Sequence, residues 1–409
     1  MAELAQLSLD TARLGLMSSS ASLAAGDFAR LTGEEAFTLY GDRFLTDGVR
    51  AFPHFDSRDY PGLTAWSGIM GLKRQLRAVA GTIEDTPVLL ANRSTVLMQL
   101  AARRLVQSCK AILLADTGWP AYREIVEEES RRRGTRLVVA DIRQQILDGS
   151  SGAEETIGEL AANAVRNCCD GLFLAAVSND GIRLPIKRIV KAIEQRRPQS
   201  LVVIDGAQDF CHTPADGTLN LCDVYIAGCH KWLRAYQPLG VAFLGRDRSR
   251  PRINSACRSL QRANEHCDPL LRFTTQLEND DLDGTSETVN LAPLFSCHGA
   301  LQDILNCPVQ RDAEFEQRLR NAAEVSELAA ANGWRPLMPE LPFRSGILML
   351  QATRARTRAK DQTELRRQFA NRRVSLTSYA DGLIRLSMPG RPWQAGELDF
   401  LGQVLRAVA

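Results

Sequence analysis

The run Leu201-Val-Val-Ile-Asp205 constrains the fold more than any other stretch, because it is a set of branched apolar residues without polar alternation, closed by an acid. A strand covered on one face alternates apolar and polar side chains, so an unbroken run of this length reads as a strand buried on both faces of a parallel sheet. Its terminal carboxylate then sits at the carboxyl edge of the sheet, where open α/β sheets hold their ligands. Two more candidate strands follow, Val224-Tyr-Ile-Ala227 and Gly240-Val-Ala-Phe-Leu244, and Gly228-Cys-His-Lys231 joins them. Lys231 is thereby expected in a loop at the rim that carries Asp205. A lysine in such a place becomes nucleophilic when burial or neighbouring cations lower its pKa. His230 and Arg234 are the cations the sequence offers.

Upstream, strand and helix patterns alternate as a doubly wound α/β sheet requires. The expected elements are helix Thr64–Ala80, strand Pro87–Ala91, helix Ser94–Val106, strand Ala111–Ala115, helix Pro120–Arg133 and strand Arg136–Ala140, then helix Ala153–Arg166, strand Gly171–Ala176 and helix Pro185–Arg196. Pro120 and Pro185 suit a first helical turn, where a missing N–H costs nothing, and Gly134 suits the end of the helix before it. A helix over Val289–Leu305 is expected to link to a smaller unit with strand Gly346–Gln351, helix Lys360–Asn371, strand Leu383–Met388 and a closing helix. In that last helix Leu398, Leu401, Leu405 and Val408 share one face, the signature of core packing. The expected division is therefore 1–60 as a segment packed on the small domain or on a partner subunit, 61–300 as the large domain and 301–409 as the small one.

With 409 residues, 44% of them apolar and 24% charged, the chain can bury a large core. A net charge of +2 points away from nucleic acid as a partner. Arg131, Arg132 and Arg133 follow Glu127, Glu128 and Glu129 at helical spacing and read as ion pairs on a solvated face. The ten cysteines form no CxxC pair and suit free thiols in a reducing compartment, while the five histidines lack metal-ligand spacing, so no metal is expected. No basic and apolar leader opens the sequence and no long uncharged apolar run occurs, which predicts a cytoplasmic protein without a membrane partner.

Asp205-Gly-Ala-Gln208, followed by Cys229-His-Lys231 with Lys231 26 residues after Asp205, resembles the class V aminotransferase family, the pyridoxal 5'-phosphate enzymes that include cysteine desulfurases, kynureninase and isopenicillin N epimerase. The resemblance implies a fold type I architecture, a large domain with a mostly parallel seven-stranded sheet between helices and a smaller α+β C-terminal domain. It implies pyridoxal 5'-phosphate as cofactor, with Asp205 paired to the pyridine nitrogen, Gln208 bonded to the ring's phenolic oxygen and Lys231 joined to the aldehyde as a Schiff base. Resemblance is strongest from about Pro87 to Gly245.

Further residues follow from the same resemblance. Asn92-Arg93-Ser94-Thr95, between a strand and an apolar-periodic helix, offers fixed N–H donors and a helix dipole for a phosphate. Ser94 and Thr95 are the expected contacts, with Arg93 as the alternative if the register slips by one. Trp119, in Asp116-Thr-Gly-Trp-Pro, is placed to stack on a planar ring, and Asn179, in Val177-Ser-Asn-Asp-Gly181, to lie beside the ring oxygen and a substrate carboxylate. Arg385, in Leu383-Ile-Arg-Leu-Ser387, matches the family arginine that clamps an α-carboxylate. An arginine in so apolar a strand needs a carboxylate partner, either the substrate's or a structural Asp or Glu. Gly284-Thr285 resembles a loop that reaches the neighbouring subunit's phosphate, which implies a homodimer with shared active sites. Two departures matter. Gly228 stands where many relatives carry a phosphate-binding serine, shifting that load to His230 and Thr285, and the stretch Val374-Ser-Leu-Thr-Ser-Tyr-Ala-Asp381 lacks the cysteine of a desulfurase. The expected activity is aminotransferase-like on a small amino acid, with a lyase acting by elimination or kynureninase-like carbon–carbon cleavage as the alternative and a catalytically silent cofactor-binding protein as the alternative of another kind.

Overall fold

A computed structural model describes residues 6–34, 43–51, 55–249, 251, 268–279, 288–307 and 310–409. Thr285 lies outside the described residues. The first strand, β1 (Leu7–Ser8), pairs in parallel with β11 (Val374–Ser375) far along the chain. The seven strands of the main sheet are β2 (Val88–Ala91), β3 (Ala111–Ala115), β4 (Arg136–Ala140), β5 (Gly171–Ala175), β6 (Leu201–Asp205), β7 (Val224–Gly228) and β8 (Gly240–Phe243). Their order is β2-β8-β7-β6-β5-β3-β4, and only β8 runs against the rest. The mostly parallel seven-stranded α/β sheet expected from the sequence is what the chain forms, and several bounds, such as Ala111–Ala115, Pro120–Arg133 and Ala153–Arg166, agree to the residue.

Period-two side chains explain why the central strands are almost wholly apolar. Leu89, Ile112, Leu114, Phe173, Val203 and Ile226 pack beneath helices Ser94–Ser108 and Pro120–Arg133. Their neighbours Leu90, Leu113, Leu172, Val202 and Ile204 point to the other face, under helices Gly68–Ala80, Ala153–Arg166 and Ile186–Arg196. With both faces covered, every position in β6 is buried, and reducing one such leucine to alanine costs about 3 kcal/mol.

A second core lies around an antiparallel sheet of order β12-β13-β10-β9, made of β9 (Trp334–Leu337), β10 (Ile347–Ala352), β12 (Thr377–Ser378) and β13 (Leu383–Ser387). Helix Glu397–Val408 closes it with Leu401, Leu405 and Val408 buried and Leu398 partly so. Helix Gln310–Ala331, the longest described, was not expected. Its packed face uses Ala322, Val325 and Ala329, small residues that give little apolar periodicity in a charged sequence. The helix expected over Thr64–Ala80 begins only at Gly68, whose φ of +78° is a left-handed turn open to glycine and blocked to larger residues by the Thr46 carbonyl.

The described part of the N-terminal segment does more than wrap the small sheet. After β1 it crosses the loop that carries Lys231: Gly15 N donates to His230 O (2.9 Å), Ser18 N to Arg234 O (3.0 Å), and Arg234 Nε to Leu16 O (3.1 Å). Any Cβ on Gly15 would collide with the Lys231 carbonyl, so this crossing requires glycine. Helix Ser19–Glu34 then packs on helix Ala292–Leu305, with Phe28 stacked on Phe295 at 3.8 Å. The arginines of residues 131–133 are exposed as expected, Arg131 and Arg132 pairing with Glu128 on one helix.

Candidate active site

Because β2, β3, β5, β6 and β7 run in the same direction, their carboxyl ends open on one edge, and the expected residues gather there. Asp205 ends β6 and is buried. Desolvation raises its pKa to about 6, opposed by the Ala207 N–H that it accepts at 2.9 Å and by the charge of Lys231. Lys231, just past β7, has its pKa lowered to about 8, first by burial and then by Arg385, with Asp205 pulling the other way. His230 and Arg234 are not the cations responsible. His230 is driven down to about 4 by burial and by the charges of Lys231 and Arg93, so it is neutral near pH 7, and Arg234 is turned to the Leu16 carbonyl. The pair Asp205 and Lys231 thus offers a buried carboxylate beside an amine that is readily neutral.

Ser94 opens helix Ser94–Ser108, and the residue before it, Arg93, gives that helix no side-chain cap. A Cβ on Gly228 would point between His230, 2.9 Å from its ring, and Ser94 Oγ, 3.9 Å away. Gly228 therefore lies close against the imidazole, which has no room for a Cβ there, and a helix start, a hydroxyl and a ring whose Nδ1 is buried without a partner come together at this point. Thr95 adjoins it, and Arg93 is close enough to act on His230 electrostatically. Such a cradle fits a phosphate.

Asn179 Oδ1 and Arg385 Nε are likewise among the buried atoms without a partner in the described residues. They belong to residues in contact, since Arg385 Nη1 donates to Asn179 O at 3.2 Å. Arg385 comes from β13 of the small sheet, is buried, and lies over the Tyr379 ring at 5.9 Å. Its carboxylate neighbour in the chain is Asp10, 3.8 Å away, so the structural alternative weighed for its partner is at least partly realised. Trp119 caps helix Pro120–Arg133 and is 45% exposed, leaving a ring face open at the same edge. Gln208 is engaged at both ends of its amide: Nε2 donates to Ala12 O (2.7 Å) and Oε1 accepts from Trp232 Nε1 (2.8 Å). Trp232 in turn stacks on His212 at 3.7 Å, and His212 Nε2 accepts from Gly346 N at 2.9 Å, tying this edge to the small sheet.

Tyr122 belongs to the site and was missed. Its hydroxyl donates to Ser94 Oγ at 2.7 Å, its ring meets Trp119 edge-on at 5.1 Å, and burial together with the nearby charge of Asp205 holds its phenol well above the usual value, so it remains a donor. The signal available was the spacing from Trp119, three residues on across a helical first turn. Replacing Tyr122 by Phe should weaken pyridoxal phosphate affinity about fivefold through the loss of one hydrogen bond that fixes Ser94, as equilibrium dialysis would read; unaltered affinity would remove Tyr122 from the phosphate cradle. Cys229 is fully buried against Cys297 with its thiol pushed well up, the packing role expected of it.

A rim of this build, with an aspartate at one strand end, a lysine just past the next and a helix start beside them, suits a pyridoxal phosphate-dependent enzyme. The profile described as aminotransferase class-V matches residues 67–321, and the chain belongs to that family. Among solved structures it is similar to aspartate aminotransferase of subgroup IV from Thermus thermophilus, with 15% identity, 98% of each chain covered and a TM-score of 0.64. It is also similar to apo cysteine desulfurase from Thermococcus onnurineus NA1, with 11% identity, 98% of this chain and 94% of that one covered and a TM-score of 0.66. A third is a lysine-to-alanine variant of C-DES with glycine covalently linked to its PLP cofactor, with 14% identity, 98% and 96% coverage and a TM-score of 0.65. No curated protein sequence matches the chain. Among the described residues no helix is long and apolar enough to cross a membrane, and no cluster of three or more potential ligands could hold a metal ion.

Proposed function

We propose that this protein transfers the amino group of a small amino acid, with Lys231 as the amine that holds the cofactor and moves the substrate's α-proton. The observation that carries the reading is the pairing of Lys231, with its pKa lowered to about 8, and buried Asp205 at the ends of neighbouring strands. When bound, pyridoxal phosphate supplies an aromatic ring able to accept negative charge from the α-carbon of an attached amino acid. Asp205 would keep the ring nitrogen protonated, Ser94, Thr95 and His230 would bind the phosphate, and Thr285 would serve the phosphate of the neighbouring subunit. Trp119 would stack on the ring, and Asn179 and Gln208, the latter held by Ala12 and Trp232, would bond the ring oxygen. Freed when the substrate's amine replaces it, neutral Lys231 would take the proton from the α-carbon, and where it gives that proton back would separate transfer from elimination.

Arg385 binds the substrate carboxylate, supported by its burial and its unpartnered Nε. Replacing Arg385 by Leu should raise KM for carboxylated substrates about a hundredfold with a smaller change in kcat, because a bidentate charged contact is lost in ground and transition states alike. An unaffected KM would reassign the clamp. Transfer is preferred to desulfurase chemistry because Val374–Asp381 contains no cysteine. Incubation with single amino acids and a keto acid, followed by mass spectrometry, should show the keto acid converted to its amino acid. Ammonia or a cleaved fragment without that product would establish the lyase instead. The protein is further proposed to work as a cytoplasmic homodimer. Free thiols at all eight described cysteines and the exposed Leu14, Leu16 and Tyr236 beside the Lys231 loop support this.

A further inference from the structure

The N-terminal segment delivers a carboxylate into the heart of the site. Leu9 is bonded on both sides, its N–H to Ser375 O (2.8 Å) and its carbonyl to Ser387 N (2.7 Å), and Ala12 N donates to Ser387 Oγ at 2.8 Å. Asp10 is thus fixed between β11 and β13. Its Oδ1 accepts a 2.5 Å bond from Thr377 Oγ1 and lies 3.8 Å from Arg385 Nη2, which itself donates to Thr377 Oγ1 at 3.3 Å. The guanidinium's donors are therefore unequally used. Nη1 is taken by the Asn179 carbonyl, Nε is buried and unpartnered, and Nη2 faces Asp10. The fork left for an incoming carboxylate is Nε with Nη2, so a substrate docked two-pronged would place a second carboxylate against Asp10.

We propose that Asp10 is a specificity-determining residue of this pocket, an internal competitor that shares Arg385 with the substrate's carboxylate and so restrains how tightly carboxylates bind. This rests on the reading of Arg385 as the carboxylate clamp. Two like charges beside one guanidinium cannot both be fully compensated, so admission of the substrate costs Asp10 either its place or its charge. Burial already raises the Asp10 pKa, against the opposing pull of Thr377, Arg385, Arg13 and Arg366, which makes giving up the charge the easier course.

Asp10→Asn keeps the acceptor for Thr377 and removes the charge. The experiment is titration of the holoenzyme with L-alanine and with L-alaninamide, which differ in the carboxylate alone, followed by the change in cofactor absorbance. The expected result is that Asp10→Asn lowers the Kd of alanine about tenfold and leaves that of alaninamide unchanged, while Asp10→Glu keeps the wild-type ratio. A parallel change for both probes, or none for alanine, would overturn the role of Asp10, the first marking it as merely structural. Arg385→Leu separates the two readings. If it abolishes discrimination between the probes while Asp10→Asn does nothing, the clamp stands and the Asp10 proposal fails. If discrimination survives Arg385→Leu, or alanine perturbs no variant, the clamp fails and the proposal with it.

Discussion

Replacement of Lys231 by Ala lowers turnover by about four orders of magnitude and removes the visible absorbance that marks the cofactor joined to protein, because one amine serves as both attachment point and proton carrier. The position is enforced by backbone. Cys229 N donates to Leu239 O, Ala235 N to Cys229 O, and Gly15 lies directly on the Lys231 carbonyl, so the loop has no slack with which to bring another group to the same point. Because burial lowers the Lys231 pKa to about 8, the free enzyme's reactive form is present above that value and lost below it, and the reaction of apoprotein with added pyridoxal phosphate should quicken as pH rises through about 8. Stopped-flow absorbance checks this. Unchanged turnover in the variant, or a rate that falls across the same range, would sink the assignment of Lys231.

Replacing Asp205 by Asn leaves the cofactor bound but lowers turnover by about two to three orders of magnitude, since a neutral amide cannot hold the ring nitrogen protonated. The same change should stabilise the apoprotein. Asp205 titrates at about 6 in the folded chain, above its ordinary value, so its negative charge is disfavoured by folding at neutral pH. The folded state binds the proton more tightly, so the cost of Asp205 is absent below the unfolded pKa and develops as pH rises through about 6. Apo Asp205→Asn should accordingly melt above wild type at pH 7.5, with the gap closing as pH falls below about 6, as differential scanning calorimetry would show. Full activity would strip Asp205 of its role, and a lower melting temperature at pH 7.5 would mean that the carboxylate is structural.

Such a trade of stability for chemistry explains which parts of the site were legible. Asp205 and Lys231 could be placed from sequence because each sits at the end of an apolar strand whose direction the alternation of helix and strand dictates. Ser94, Trp119 and Asn179 came from the family resemblance, and the structure has each of them past a strand end. Tyr122 was hidden because a tyrosine in a helical first turn reads as core, and only its hydroxyl bond to Ser94 sets it apart. Asp10 could not be read at all: it meets Arg385 and Thr377 through β1 and the segment after it, across more than 360 residues, and two-residue strands leave no periodicity. Burial, the largest cause of the low Lys231 pKa, was expected, but the cation was misjudged from proximity in sequence, since His230 is itself buried and neutral while Arg385 arrives from the other sheet.

The most direct test of the central claim is the absorbance spectrum of the purified protein with added pyridoxal phosphate, recorded before and after borohydride reduction and peptide mapping. A visible band that reduction fixes as a cofactor adduct on Lys231, and that amino acids then alter, is the predicted result. No band, or an adduct on a different lysine, would contradict it.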